Sequence, residues 1–205
     1  MKFPLKKNYK AKIKPHCSSN QQRRSVTAYV GEAFHINSST EGAQDKPRVG
    51  MNSEGDFVVV WQSAHTKESG GASLSIWGQC YFADGSKKST EFRVSQGSTG
   101  SASEPDVELA EDGSFSVVWS GDGEPEELVG NTDWSETWIR QFESDGTDKG
   151  DTFKVNTYID FKQQEASIAV DLNGNYVVVW NDFKQEQNTT EGDSENESGI
   201  YAKLF

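Results

Sequence analysis

Phe57-Val58-Val59-Val60-Trp61 returns as Phe115-Ser116-Val117-Val118-Trp119 and again as Tyr176-Val177-Val178-Val179-Trp180, at spacings of 58 and 61 residues. Three copies make most of the chain one unit written three times. A period of about 60 residues is long for a helical repeat and suits a unit of about four strands. The segments are short, β-branched and continuously apolar, as expected of strands covered on both faces.

Working outward, the match continues in both directions. Upstream, Ala33-Phe34-His35-Ile36-Asn37 matches Glu91-Phe92-Arg93-Val94-Ser95 and Thr152-Phe153-Lys154-Val155-Asn156. Between these and the tryptophans lie Pro47 to Met51, Pro105 to Leu109 and Ala166 to Val170, each running into a turn that ends in Gly55, Gly113 or Gly174. Downstream, Trp77 to Tyr81 matches Trp138 to Phe142 and Tyr201 to Phe205. In these last segments the residues alternate, so Trp77, Gln79 and Tyr81 share one face and Gly78 and Cys80 the other. Asp-Gly and Asn-Gly pairs between the runs are turn chemistry, because glycine accepts the positive φ of tight hairpins. No stretch carries sustained 3.6-residue apolar periodicity, and almost no helix is expected.

The expected fold is all-β, with three four-stranded pseudo-repeats forming propeller-like blades; a β-trefoil is the alternative three-unit architecture. The units run over about 31–89, 90–150 and 151–205, within one domain spanning 25–205. The final strand, Ile200 to Phe205, lacks its sequential partner, and Ala33 to Asn37 lacks most of its own. Pairing the two, or seating Val26 to Val30 there, would remove open sheet edges that promote aggregation. Three blades are fewer than the four to eight that usually close a ring, so a homodimer completing a six-blade ring is a further expectation.

Composition bounds the function. Eight of the 20 Lys and Arg residues fall in the first 24 residues, which contain no Asp or Glu, whereas the whole chain has 32 acidic residues and a net charge of −12. Residues 1–24 therefore read as a basic, disordered leader ahead of a strongly acidic body, which argues against gripping a phosphate backbone. Neither a signal-peptide core nor a membrane-spanning apolar run occurs, so no membrane insertion is expected. Cys17 and Cys80 are too few for a disulfide framework and read as two free thiols.

The runs Gly31 to Asn37, Pro47 to Ser63, Ile76 to Gly85, Gly150 to Asn156, Asn173 to Trp180 and Ile200 to Ala202 follow a pattern of G-x-x-F-x-V-N, G-D-F-V-V-V-W-Q-S and I-Y-A-Q. That pattern resembles a tandem repeat of large bacterial surface and adhesin-like proteins, over roughly residues 31–205. The resemblance implies an extracellular or cell-surface, propeller-like array used for attachment or display. The missing export signal leaves a cytoplasmic address open.

The linkers after the tryptophan strands, residues 62–75, 120–137 and 181–199, occupy equivalent places and are far longer than a hairpin needs. Long loops on a rigid scaffold are where recognition concentrates. They are expected to gather at one rim, with Trp134 and Asp133 as leading contacts beside Asp122 and Asp182. Trp134 stands out because it falls outside the repeat pattern. Asp171, Asn173, Asn175 and Asp182 offer oxygen ligands in part of a calcium-loop pattern, although Tyr176 stands where such a loop needs glycine and an Asn-Gly hairpin explains the same residues.

Catalytic signatures are lacking. Turn-then-Trp resembles the Asp-box of sialidase-type propellers, but Trp119 lies six residues after Gly113, too far for that motif. Arg48, Arg93 and Arg140 fall on non-equivalent strands, His16, His35 and His65 are scattered, and no nucleophile triad, phosphate loop or dinucleotide fingerprint occurs. The expectation is a non-enzymatic recognition or adhesion module that binds carbohydrate or protein through its loop rim, with no cofactor beyond the weak calcium candidates. A glycan-processing hydrolase and a structural spacer repeat are the readings from other classes.

Overall fold

Each V-V-V-W segment is the second strand of an antiparallel meander. The computed structural model of the chain describes residues 31–66, 72–96, 100–122, 135–157, 162–183 and 198–205. Within it, residues His35–Phe205 make one compact unit. The first sheet contains β1 (Gln44–Met51), β2 (Phe57–Thr66), β3 (Ala72–Tyr81) and β4 (Phe92–Arg93), in that order. The second repeats it with β5 (Ala102–Leu109), β6 (Phe115–Asp122), β7 (Ser135–Phe142) and β8 (Phe153–Lys154). The third contains β9 (Gln163–Val170), β10 (Tyr176–Phe183) and β11 (Ser198–Leu204). Neighbouring strands are antiparallel throughout, and no helix occurs among the described residues. The chain is all-β, as its periodicities require.

The hairpins between first and second strands are built alike. Gly113 N–H donates to Ala110 O at 2.9 Å and Gly174 N–H to Asp171 O at 3.1 Å, both glycines having φ near +84° (). A side chain on either would meet the steric penalty of left-handed backbone.

The first strand of every sheet is bulged at the same repeat position. The ladder register slips between Asp45 and Arg48, between Ser103 and Asp106, and opposite Val179 to Asn181. At each slip a non-glycine residue takes positive φ: Lys46 at 48°, Glu104 at 56° and Glu165 at 55°. An extra residue in one strand bends it and ends regular pairing, which suits a strand lining the inner edge of a stack. These inner strands stand side by side, β1 against β5 and β5 against β9.

Two apolar layers hold the sheets together. Val58, Val60, Ile76 and Cys80 of the first sheet pack on Val107, Phe115, Val117, Trp119 and Phe142 of the second. On its other face the second sheet sends Val118 and Ile139 against Ile168, Val178 and Trp180 of the third. Phe115 and Phe142 stack at 5.0 Å between ring centroids, and Tyr176 and Phe205 repeat the pair at 4.7 Å. Offset stacking of this kind adds about 0.5–1.5 kcal/mol to the burial of each pair.

Polar contacts between sheets also follow the repeat. Arg140 donates to the carbonyl of Val94 at 3.3 Å, and Lys203, its equivalent, donates to that of Val155 at 2.9 Å. In the first sheet the Tyr81 hydroxyl reaches the carbonyl of Ile36 at 3.2 Å. The F-x-V-[NS] motif thus presents one carbonyl, three times, to the third strand of the sheet that follows it.

Two expectations need correction. The V-V-V-W strand is buried on both faces only in the second sheet, because among the described residues β2 and β10 each have a sheet on one side alone. The Phe strands, two residues long, pair with the last strand of the unit before them, as the reading of Ile200 to Phe205 as a strand lacking its sequential partner implies. Among the described residues the third sheet accordingly has three strands, β11 being without that partner. Ala33 to Asn37 forms no strand and has no ladder to Ile200–Phe205. The reason is positional: Ile36 lies on the flank of the first sheet, whereas β11 belongs to the third, with the second sheet between. Val26 to Val30 lies outside the described residues.

Candidate functional site

Trp61 and Trp77 are direct cross-strand partners on β2 and β3, and Arg93 of β4 pairs with Trp77 from the other side. In the second and third sheets the equivalent aromatic pairs, Trp119 with Trp138 and Trp180 with Tyr201, are pressed against the preceding sheet. The first sheet has no described sheet on that side. There the tryptophan pair lines a pocket of about 330 Å³ together with Asn37, Gln44, Glu91 and Arg93. The volume lies at the small end of ligand pockets.

The segment before β1 forms the wall of this pocket. Gly42 has φ of +71°, and a Cβ there would lie 1.9 Å from the Ala64 carbonyl oxygen, so only glycine lets the segment approach. Ala64 N–H donates to Ala43 O at 2.8 Å just beside it. Gln44 Oε1 accepts from Trp61 Nε1 at 2.9 Å, and Gln44 Nε2 donates to the Glu41 carbonyl at 2.9 Å. Trp77 Nε1 donates to Ser75 Oγ at 3.0 Å. With both indole N–H groups bonded within the protein, the surface offered is apolar, and it comes mainly from half-buried Trp77, Trp61 being buried beside it. Glu91 accepts the backbone N–H of Ser38, which ties the wall to the start of the fourth strand. Burial, reinforced by the charge of Glu91, pushes the Tyr81 phenol above its ordinary value of 10.0, so it stays a neutral hydroxyl.

Chemically this is an apolar aromatic floor ringed by a guanidinium, two carboxylates (Glu41 and Glu91), two amides (Asn37 and Gln44) and hydroxyls. Such a mixture suits a ligand with one C–H-rich face and hydroxyls at its edges.

Two other cavities are more polar. One of about 570 Å³ lies among the turns of the second and third sheets, beside Glu108, Glu111, Asp112 and Lys149. One of about 460 Å³ runs along the three inner-strand bulges. In the latter the charged groups already have partners: Lys46 pairs with Glu104 at 2.8 Å, and Asp106 accepts Ser167 Oγ at 2.7 Å and Ile168 N–H at 3.1 Å.

The residues singled out from the sequence fare differently. Trp134 and Asp133 lie outside the described residues. Asp122 ends β6, where its Oδ2 accepts Ser101 N–H at 2.7 Å, a local brace. Asp182 is fully buried in β10 rather than placed on a rim. It belongs to a polar chain between the second and third sheets in which Gln163 Nε2 donates to Asp182 Oδ2 at 3.4 Å, and Asn156 Nδ2 donates to Gln163 Oε1 at 3.3 Å and to Glu136. Lys154 stands 3.9 Å from Glu136. Buried polar groups connected in this way specify a unique junction.

The four calcium candidates are not brought together. Asp171 Oδ1 accepts Asn173 N–H at 2.8 Å and Asn175 N–H at 2.9 Å, and Oδ2 accepts Asn175 Nδ2 at 2.9 Å. The side chain of Asn175 and these backbone donors hold the Asp171 carboxyl below its ordinary 3.8. They spend its oxygens on a hairpin turn, while Asp182 sits at the far end of β10. Cys80 is a buried free thiol; Cys17 is outside the described residues.

Sequence reasoning missed the pocket because Trp61 and Trp77 sit at repeat positions whose other two copies lie in or against the core. A weak signal existed in Gly42, which is matched by Gly100 in the next unit.

No family model matches this chain, and no curated protein matches it. Among solved structures, an endo-arabinase from Bacteroides thetaiotaomicron is similar over 76% of this chain and 53% of its own length, at 12% identity and a TM-score of 0.40. The chain thus spans about half of that protein. Fold and pocket together define an all-β repeat protein of three stacked antiparallel sheets. Among the described residues, no helix is long and apolar enough to cross a membrane.

Proposed function

We propose that the chain is a recognition module of a repeat-type surface protein, its sheets acting as propeller-like blades and its Trp61/Trp77 pocket binding carbohydrate. The observation that carries this reading is the paired indole floor with Arg93, Glu91, Glu41, Gln44 and Asn37 around it. A sugar ring lays its C–H face on the indoles and hydrogen-bonds its hydroxyls to that ring of donors and acceptors, without a reaction. An extracellular setting follows from the resemblance of the repeat to surface proteins.

The test is a broad glycan array on the full chain, followed by calorimetry with the best ligand on Trp77→Ala. Binding that disappears with Trp77 supports the reading. Binding unchanged in Trp77→Ala, or no glycan bound at all, overturns it.

One observation favours a hydrolytic reading as a second possibility: Glu41 and Glu91 line the same pocket, and glycoside hydrolysis generally uses two carboxylates. Turnover of chromogenic glycosides that is lost in Glu91→Gln would promote it over simple recognition.

A further inference from the structure

Among the described residues, the stack has two uncovered flanks of different kind. On the third sheet, Ile200 is 76% exposed and Leu204 81% exposed, on the face opposite the one packed against the second sheet. The equivalent of Ile200 in the first sheet is Ile76, which is completely buried because the second sheet covers it. On the first sheet, Val49 and Met51 are each 61% exposed. Their equivalents, Val107 and Leu109, pack into the junction with the preceding sheet. One flank therefore carries the positions that elsewhere receive a following sheet, and the other carries the positions that elsewhere enter a preceding one.

The edges are complementary as well. β11 has β10 on one side and no strand on the other among the described residues, whereas β3 and β7 are each completed by a short fourth strand. The first sheet brings a surplus: Ile36, at the place that Val94 and Val155 hold in the later copies, already presents its carbonyl to Tyr81.

We propose that these flanks are two halves of one interface, and that a second copy of this chain occupies it head to tail. The third sheet of one copy stacks on the first sheet of the next, as the first stacks on the second and the second on the third within the chain. Residues from His35 onward of one copy then serve as the fourth strand beside β11 of the other. A head-to-tail contact made twice closes a ring of two copies. The junction covers the Trp61/Trp77 face, as the Trp119/Trp138 and Trp180/Tyr201 pairs are covered within the chain, so the second copy and a ligand in that pocket compete for the same face. The contact does not depend on any ligand.

Light scattering on the full chain tests this. The expected mass is twice 22.7 kDa. Ile200→Asp with Leu204→Asp removes one half-interface, and Val49→Asp with Met51→Asp the other; all four side chains are exposed, so circular dichroism should be unchanged. Each double variant is expected to be monomeric, and mixing the two should restore a mixed dimer, because each keeps the half that the other lacks. A wild-type monomer at every concentration overturns the proposal, as does a dimer that survives both double variants or a mixture that stays monomeric. A wild-type monomer that binds glycan would leave the pocket reading standing while this one falls.

Discussion

Lys46 Nζ lies 2.8 Å from Glu104 Oε1, and the two residues hold the same place in successive repeats, 58 positions apart. Ser167 and Asp106, 61 apart, make the same kind of bond between the third and second units. Ser53 and Glu111, again 58 apart, do so in the turns. A contact whose separation equals the period can arise only if the inner strands run side by side in matching register. The ladder of equivalent positions is therefore a direct reading of how the units stack.

Lys46 carries strain as well as a partner, since its φ is 48°. A left-handed L-residue costs about 1–2 kcal/mol, whereas a part-exposed ion pair contributes about 0–1 kcal/mol. Lys46→Ala is expected to lose only the pair, lowering stability by about 0.5 kcal/mol. Lys46→Gly loses the pair but releases the strain, and its urea midpoint should lie above that of Lys46→Ala. The reverse order would show that the bulge costs little.

Gly42→Ala should collapse the pocket wall. Its new Cβ would sit 1.9 Å from a backbone oxygen that cannot yield without breaking the Ala64–Ala43 bond. Glycan affinity is expected to fall at least as far as in Trp77→Ala, with only a modest loss of melting temperature because the segment lies outside the sheets. Calorimetry beside a thermal melt separates the two effects.

Trp119 is 1% exposed and central to the layer between the first two sheets. Trp119→Ala is expected to cost about 3–5 kcal/mol through lost transfer energy and the cavity left behind. Ile200→Ala, on an open flank, should change stability by less than about 0.5 kcal/mol in the monomer. Denaturant titrations of both variants check the contrast.

Four turn aspartates share one arrangement. Hydroxyl donation from Ser86, Ser114 and Thr147 holds Asp84, Asp112 and Asp145 below the ordinary 3.8, and the Asn175 side chain does the same for Asp171. Depressed values in the folded state mean that the stabilisation is present above pH 3.8 and is lost as pH falls through the lower folded values. Melting temperature should drop in that acid window, and Asp112→Asn should flatten the drop. An unchanged acid limb in the variant would remove the turn from the account.

Burial pushes the Cys80 thiol up from 9.0 to about 11, outweighing the hydrogen bond from the Ser89 side that favours the thiolate. A raised value in the folded state contributes stability that is complete below pH 9 and lost as pH climbs through about 11. Cys80 in the native protein should therefore resist thiol reagents at neutral pH and react only on unfolding. Rapid native labelling of Cys80 would contradict its placement in the core.

Much of the architecture was legible in advance. The triplet of V-V-V-W strands, the Asp-Gly and Asn-Gly hairpins and the face-sharing of Trp77, Gln79 and Tyr81 follow from periodicity and turn chemistry, which are local. The candidate site was barely legible. Asp182 reads as a loop acid yet lies buried between sheets, and Trp61 reads as core yet lines a pocket. Identical repeat positions differ in burial according to whether a neighbouring sheet exists, and no local pattern encodes that.

By itself, then, the chain of residues determined an all-β protein of three like units, because β-branched runs at period two and glycine turns leave the backbone little else to form. Tertiary structure alone decided that Ile76 is buried while Ile200 is exposed, and that two tryptophans of the first sheet share a pocket with Arg93. The physical reason is that a stack has ends: equivalent side chains acquire different solvation only once the units are set against one another.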